Sequence, residues 1–163
     1  MLKSVVVAAA VLMPQVAWAD AGTDFIAKLQ GRWTGAGTIR VSANDAPAAT
    51  RCALQARGGG SSLQISGSCD GAARGANLSV TLNWVAATQQ FTGSFSGAAE
   101  SGSASLYGRL NGQTLALSVT SANGGRSSMT LTLQGAKGAR LTVTGRDGAG
   151  RSVQYVALPL SRG

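Results

Sequence analysis

Residues 78–84 read Leu-Ser-Val-Thr-Leu-Asn-Trp and residues 129–133 read Met-Thr-Leu-Thr-Leu, each apolar side chain separated from the next by one polar residue. A period of two puts the apolar set on one face of an extended strand and the polar set on the other, the pattern of a sheet with one buried face. The same alternation marks residues 33–41, 63–69, 91–95, 106–110, 115–119, 141–145 and 153–157, and a strand through Cys52 brings the series to ten. Turn chemistry lies between them: Asn111-Gly112 and Asp147-Gly148 suit two-residue hairpins, while Asn123-Gly124-Gly125 and Gly135 to Gly138 suit longer loops. Strands in sequence with short connections predict an all-β antiparallel meander. Closing it into an up-and-down β-barrel of eight to ten strands removes the exposed edges. One short helical turn is expected over Asp24–Leu29, capped by Thr23 or Asp24.

Ahead of the strands, Lys3 is followed by an uninterrupted apolar run from Val5 to Met13, then Pro14 and Ala17-Trp18-Ala19, the order of a secretory signal peptide with an A-x-A cleavage site. The run falls short of the roughly 18 to 20 apolar residues that a transmembrane helix needs. The expected organisation is a signal peptide at 1–19, an N-terminal segment with the helical turn at 20–30, and the barrel at 31–163. Cleavage leaves Asp20 first and removes the charge of Lys3, so a chain of formal charge +8 becomes one of +7. The expected location is periplasmic or secreted, with no transmembrane segment once the signal is removed. In an oxidising compartment the two cysteines default to a disulfide. A hairpin turning within residues 58–62 sets Cys52 opposite Cys69, Leu54 opposite Gly67 and Ala56 opposite Ile65.

Histidine is absent, which excludes His-based triads, a His general base and His metal ligands. The six acids, Asp20, Asp24, Asp45, Asp70, Glu100 and Asp147, are spread over predicted loops and turns, and neither Lys28 nor Lys137 lies in an S-x-x-K motif. No Ca²⁺ loop, P-loop or dinucleotide fingerprint occurs, and Gly58-Gly59-Gly60 lacks the Lys and following helix of a phosphate cradle. The expectation is a protein that binds rather than catalyses, with no catalytic residues, cofactor or metal.

The helical turn followed by Gly31-Arg32-Trp33 at the head of the first strand resembles the G-x-W entry of the calycin superfamily, which includes lipocalins, avidins and fatty-acid-binding proteins. The resemblance implies a barrel from about Leu29 to Arg162, with Trp33 closing one end and an arginine lying over it, Arg162 first by chain position and Arg151 second. A secreted G-x-W chain with a cysteine pair across one hairpin is also similar to the bacterial periplasmic inhibitors of metalloproteases. That likeness implies a role for Asp20–Asp24 in entering a protease cleft.

On the period-two reading the interior collects Trp33, Ile39, Val41, Leu82, Trp84, Phe91, Phe95, Leu115, Leu131, Val153 and Tyr155 among others, with Gly35, Gly37, Gly67, Gly93, Gly108 and Gly145 on the same face. About eight strands is the width that side chains just fill, so ten strands with inward glycines either enclose space or bend to close it. A cavity lined by Trp84, Phe91, Phe95 and Tyr155 would suit an apolar small molecule. The outward face is polar and basic, with Arg40, Arg51, Arg57, Arg109 and Arg140 on it, which suits an anionic envelope surface of lipid or lipopolysaccharide. Export and the scarcity of aromatics among the basic residues exclude nucleic acid. A barrel embedded in a membrane would need aromatic girdles, for which the chain beyond Ala19 has too few Phe, Trp and Tyr. Three roles stand at this point: a carrier of a hydrophobic molecule, a protease inhibitor, and an envelope-associated structural protein.

Overall fold

The structure, a computed structural model, describes residues 20–71, 76–97 and 102–163. The expected signal peptide at 1–19, together with Arg74 and Glu100, lies outside the described residues. One helix, α1 (Ala21–Leu29), is followed by ten strands: β1 (Gly31–Ile39), β2 (Ala48–Gly59), β3 (Ser62–Gly71), β4 (Ala76–Val85), β5 (Gln90–Gly97), β6 (Ser103–Asn111), β7 (Thr114–Ser121), β8 (Arg126–Gln134), β9 (Gly138–Arg146) and β10 (Ser152–Arg162). Each strand pairs antiparallel with its sequence neighbours, and β1 pairs with β10, so the meander closes into a barrel without a free edge. Among the described residues no helix is long and apolar enough to cross a membrane.

The β2–β3 register is the expected one: Cys52 faces Cys69, Leu54 faces Gly67 and Ala56 faces Ile65. The two cysteines are joined in a disulfide with their Cα atoms 4.1 Å apart. Both are buried, on the inner face of the wall.

Apolar side chains turn inward along every strand. Leu63, Leu82, Phe91, Leu106 and Leu115 are almost wholly buried, whereas the exposed large apolar residues, Val41, Val85 and Tyr107, are scattered. The described exterior therefore has no apolar band of the kind a lipid-embedded barrel presents. The inward glycines do not each leave a hole. A Cβ at Gly93 or Gly108 would stand less than 3.0 Å from a backbone carbonyl oxygen of the adjacent strand, Thr81 or Ala116. Leu82 already reaches over Gly93, to 3.0 Å from the same point. At these two positions the close approach of the neighbouring strand leaves room for glycine alone.

Three local expectations differ from the structure. α1 begins at Ala21 rather than Asp24, because Asp20 is its N-cap and accepts from the Gly22 amide at 3.3 Å. β1 stops at Ile39, and Val41 stands in the following loop, 63% exposed, instead of in the interior. In β10 the pairing with β9 shifts between Gln154 and Val156. This bulge leaves Tyr155 as the extra residue and transfers the inward positions beyond it to Val156, Leu158 and Leu160.

Candidate functional site

The two ends of the barrel are built differently. At the end where β1 begins, α1 lies across the opening and buries Phe25, Ile26 and Leu29. Phe25 meets Phe91 edge-on with ring centroids 6.2 Å apart, and Trp84 packs on Phe91 at 4.9 Å. Both ends of the helix are tied to the wall by indoles. Trp84 Nε1 donates to Asp20 Oδ2 at 2.5 Å, holding the N-cap, and Trp33 Nε1 donates to the Leu29 carbonyl at 2.7 Å, taking one of the carbonyls a helix leaves unpaired at its C-terminus.

Arg162 completes this end. Its guanidinium lies 4.8 Å from the centre of the Trp33 ring, a cation–π geometry, and Nη2 donates to the Lys28 carbonyl. Its Nε is buried without a hydrogen-bond partner among the described residues. The arginine fits because Gly31 turns the chain between helix and strand at φ 122°, a conformation closed to most L-residues. Arg151, the second candidate for this stack, lies in the β9–β10 loop at the opposite end, ion-paired to Asp147 at 2.7 Å.

Among the described residues that opposite end has no helix. Toward this rim small inward residues alternate with large ones: Gly97 is level with Leu78, Ala104 with Phe95 and Ser121, and Gly145 with Ser127 and Val153. Ile39, Leu78, Phe95, Met129, Leu141 and Val143 are half-buried. Phe95 leans over Gly97, where a Cβ would come within 2.7 Å of its ring, and Tyr155 leans over Gly145, where the distance would be 2.8 Å. Of the four aromatics expected to line a cavity, the barrel brings Trp84 and Phe91 together in the packing of the closed end and sets Phe95 and Tyr155 at the open one. Thr50, the buried polar side chain of this half, is satisfied by donating to the Asp70 carbonyl at 2.7 Å.

Two concavities lie on the outside rather than in the lumen. One of about 510 Å³ crosses the outer faces of β10, β1, β2 and β3 between Thr34, Arg51, Asp70 and Ser161. The other, about 680 Å³, lies at the closed end between Asp20, Trp84, Gln89 and Arg109. Asp70 shares the first with Ser68 and Ser161, but among the described residues no hydrogen bond joins its carboxylate to either hydroxyl, and these residues hold no group of three or more metal-ligating side chains.

This geometry defines a class: a closed ten-stranded antiparallel barrel, plugged at one end by an N-terminal helix. The crystal structure of Rv2717c from M. tuberculosis has the same fold, with a TM-score of 0.67 over 88% of this chain and 98% of that one at 12% sequence identity. No family model matches the sequence. No curated protein matches it either.

Proposed function

We propose that the chain is an exported, non-enzymatic binding protein that takes a hydrophobic small molecule into the open half of its barrel. The observation carrying this reading is that six inward apolar residues of the helix-free half, Ile39, Leu78, Phe95, Met129, Leu141 and Val143, stay partly exposed where α1 does not cover them. Apolar surface wetted inside a concave wall is what a ligand of matching character would cover, at roughly 25 cal/mol per Å². The disulfide accords with an extracytoplasmic location. The dispersed carboxylates and the absence of histidine support binding over catalysis. The calycin resemblance adds its own support, since the arginine that it implies over Trp33 is the one stacked there. The inhibitor alternative is less favoured. The Asp20–Asp24 segment that it sends into a protease cleft forms the cap and first turn of α1, held by Trp84.

The test is native mass spectrometry of protein recovered from its own compartment, alongside Ala104→Trp, which fills the open end from a half-buried inward position. A bound apolar molecule that the tryptophan displaces supports the reading. Apo mass alone, or a ligand indifferent to the substitution, sinks it.

A further inference from the structure

The barrel separates its charges as well as its apolar surface. At the closed end Lys28, Arg32, Arg57, Lys137, Arg140 and Arg162 gather along the seam where α1, β1, β2, β9 and β10 meet, with Arg109 across the opening. The carboxylates at this end are Asp20 and Asp24, and Asp20 is occupied by the Gly22 amide and the Trp84 indole. The open end carries Arg40, Arg51, Arg126, Arg146 and Arg151 against Asp45, Asp70 and Asp147. Among the described residues the excess is thus five positive charges at the closed end and two at the open end. A free carboxyl group on Gly163 would lower the first by one and leave it the larger.

Backbone bonds hold the seam together: the Arg162 amide donates to the Lys137 carbonyl at 2.8 Å, the Gly163 amide to the Arg32 carbonyl at 3.1 Å, and the Arg162 guanidinium to the Lys28 carbonyl. None of these cations has a carboxylate within ion-pair distance among the described residues, where the sole ion pair is Arg151 with Asp147. Lys28, Arg32, Arg57 and Lys137 are exposed.

We propose that the closed end is an electrostatic docking face for an anionic lipid bilayer, which would hold the barrel upright with its open end turned away. Cations spread around a barrel end can meet a plane of phosphates together, whereas a compact anion would reach only a few of them. Phe25, Trp33, Trp84 and Phe91 are buried, and the exposed ring of Tyr107 lies on β6 beside Arg109, across the opening, so no ring among the seam cations is free to stack on bases. The attraction that remains is Coulombic and salt-sensitive.

The chain from Asp20 onward, which contains every described element, is sedimented with phosphatidylcholine vesicles with and without about one-third phosphatidylglycerol, at a Debye length of about 10 Å. Binding is expected only to the anionic vesicles. Neutralising Arg32, Arg57 and Lys137 to Gln is expected to lower partitioning about 100-fold, at about fivefold per side chain close to the surface. The matched variant at the open end, Arg51→Gln, Arg126→Gln and Arg146→Gln, has the same net charge and is expected to lose less than about tenfold. Equal losses in the two variants would reduce the effect to bulk charge and overturn the proposal. Equal binding to neutral vesicles, or retention on duplex DNA without retention on vesicles, would overturn it as well. None of these outcomes depends on whether the lumen holds a ligand.

Discussion

Gly22→Ala sets two simple expectations against each other. Gly22 lies in the first turn of α1, where exchanging glycine for alanine ordinarily stabilises a helix by about 0.5–1 kcal/mol. The structure reverses the sign. A Cβ at Gly22 would meet Trp84 ring atoms at less than 3.0 Å, and the obstacle is a buried indole, not the free end of a flexible chain. Either the ring turns and releases the Asp20 carboxylate, or α1 lifts from Phe91. Overpacking of this kind costs about 1–3 kcal/mol, and losing a hydrogen bond to a charged group about 1.5–3 kcal/mol more. After the helical gain, the net destabilisation is about 1.5–5.5 kcal/mol. At about 2–4 °C per kcal/mol for a chain of this size, Tm should fall by about 3–22 °C. Thermal unfolding followed by circular dichroism, with tryptophan emission reporting Trp84, measures it. Ala27→Gly, on the exposed face of the same helix, is the control and should cost about 1 kcal/mol. A Gly22→Ala protein as stable as the parent, or more so, would refute the packing of α1 against Trp84.

Removing the Cys52–Cys69 bridge as a double Ser variant, or reducing it, should destabilise the fold by roughly 3 kcal/mol, read as a lower denaturation midpoint, with a slope that rises as the unfolded chain expands. Arg162→Ala should cost about 1–3 kcal/mol through the stack on Trp33 and the bond to the Lys28 carbonyl, and Arg162→Lys should recover only part of it, checked by urea titration. The Asp147 carboxyl is held below the usual Asp range, first by the Arg151 amide donating to Oδ1 at 2.8 Å, then by the Arg151 side chain and the Ala149 amide. A depressed folded-state pKa stabilises above the unfolded value and is lost as pH falls through the folded one. The β9–β10 loop should therefore stay ordered until pH drops beneath the usual Asp range, and amide shifts of Ala149 and Arg151 should follow one titration there.

Local rules carried most of the fold. A two-residue period locates strands without reference to tertiary partners, and a cysteine pair around a glycine-rich tip fixes one hairpin register, which the chain adopts. The misses are non-local or depend on parity. Asp20 abuts the expected cleavage site and reads as a new terminus, while its strongest partner, Trp84, is 64 residues away. The bulge in β10 did leave a trace: Tyr155 and Val156 are adjacent apolar residues, and from there the alternation continues on the other parity through Leu158 and Leu160. Extending the parity of Val153 through the strand concealed it.

The candidate site was less legible because alternation tells inside from outside but not one end of a barrel from the other. That distinction needs the register, which places Trp33, Trp84, Phe91 and Leu115 in the rows beneath α1 and sets Leu78 level with Gly97, Phe95 with Ala104, and Val153 with Gly145 and Ser127 toward the far rim. Ten strands make a wall wider than side chains alone fill. At the closed end the shortfall is made up by a helix from the same chain, strapped down by two indoles and an arginine. At the open end no helix covers the barrel among the described residues, and Phe95 and Tyr155 lean over Gly97 and Gly145. The two ends therefore differ in the helix that covers one of them more than in the size of their inward residues, since Leu78, Phe95, Val119 and Val153 share the rim rows with the small ones.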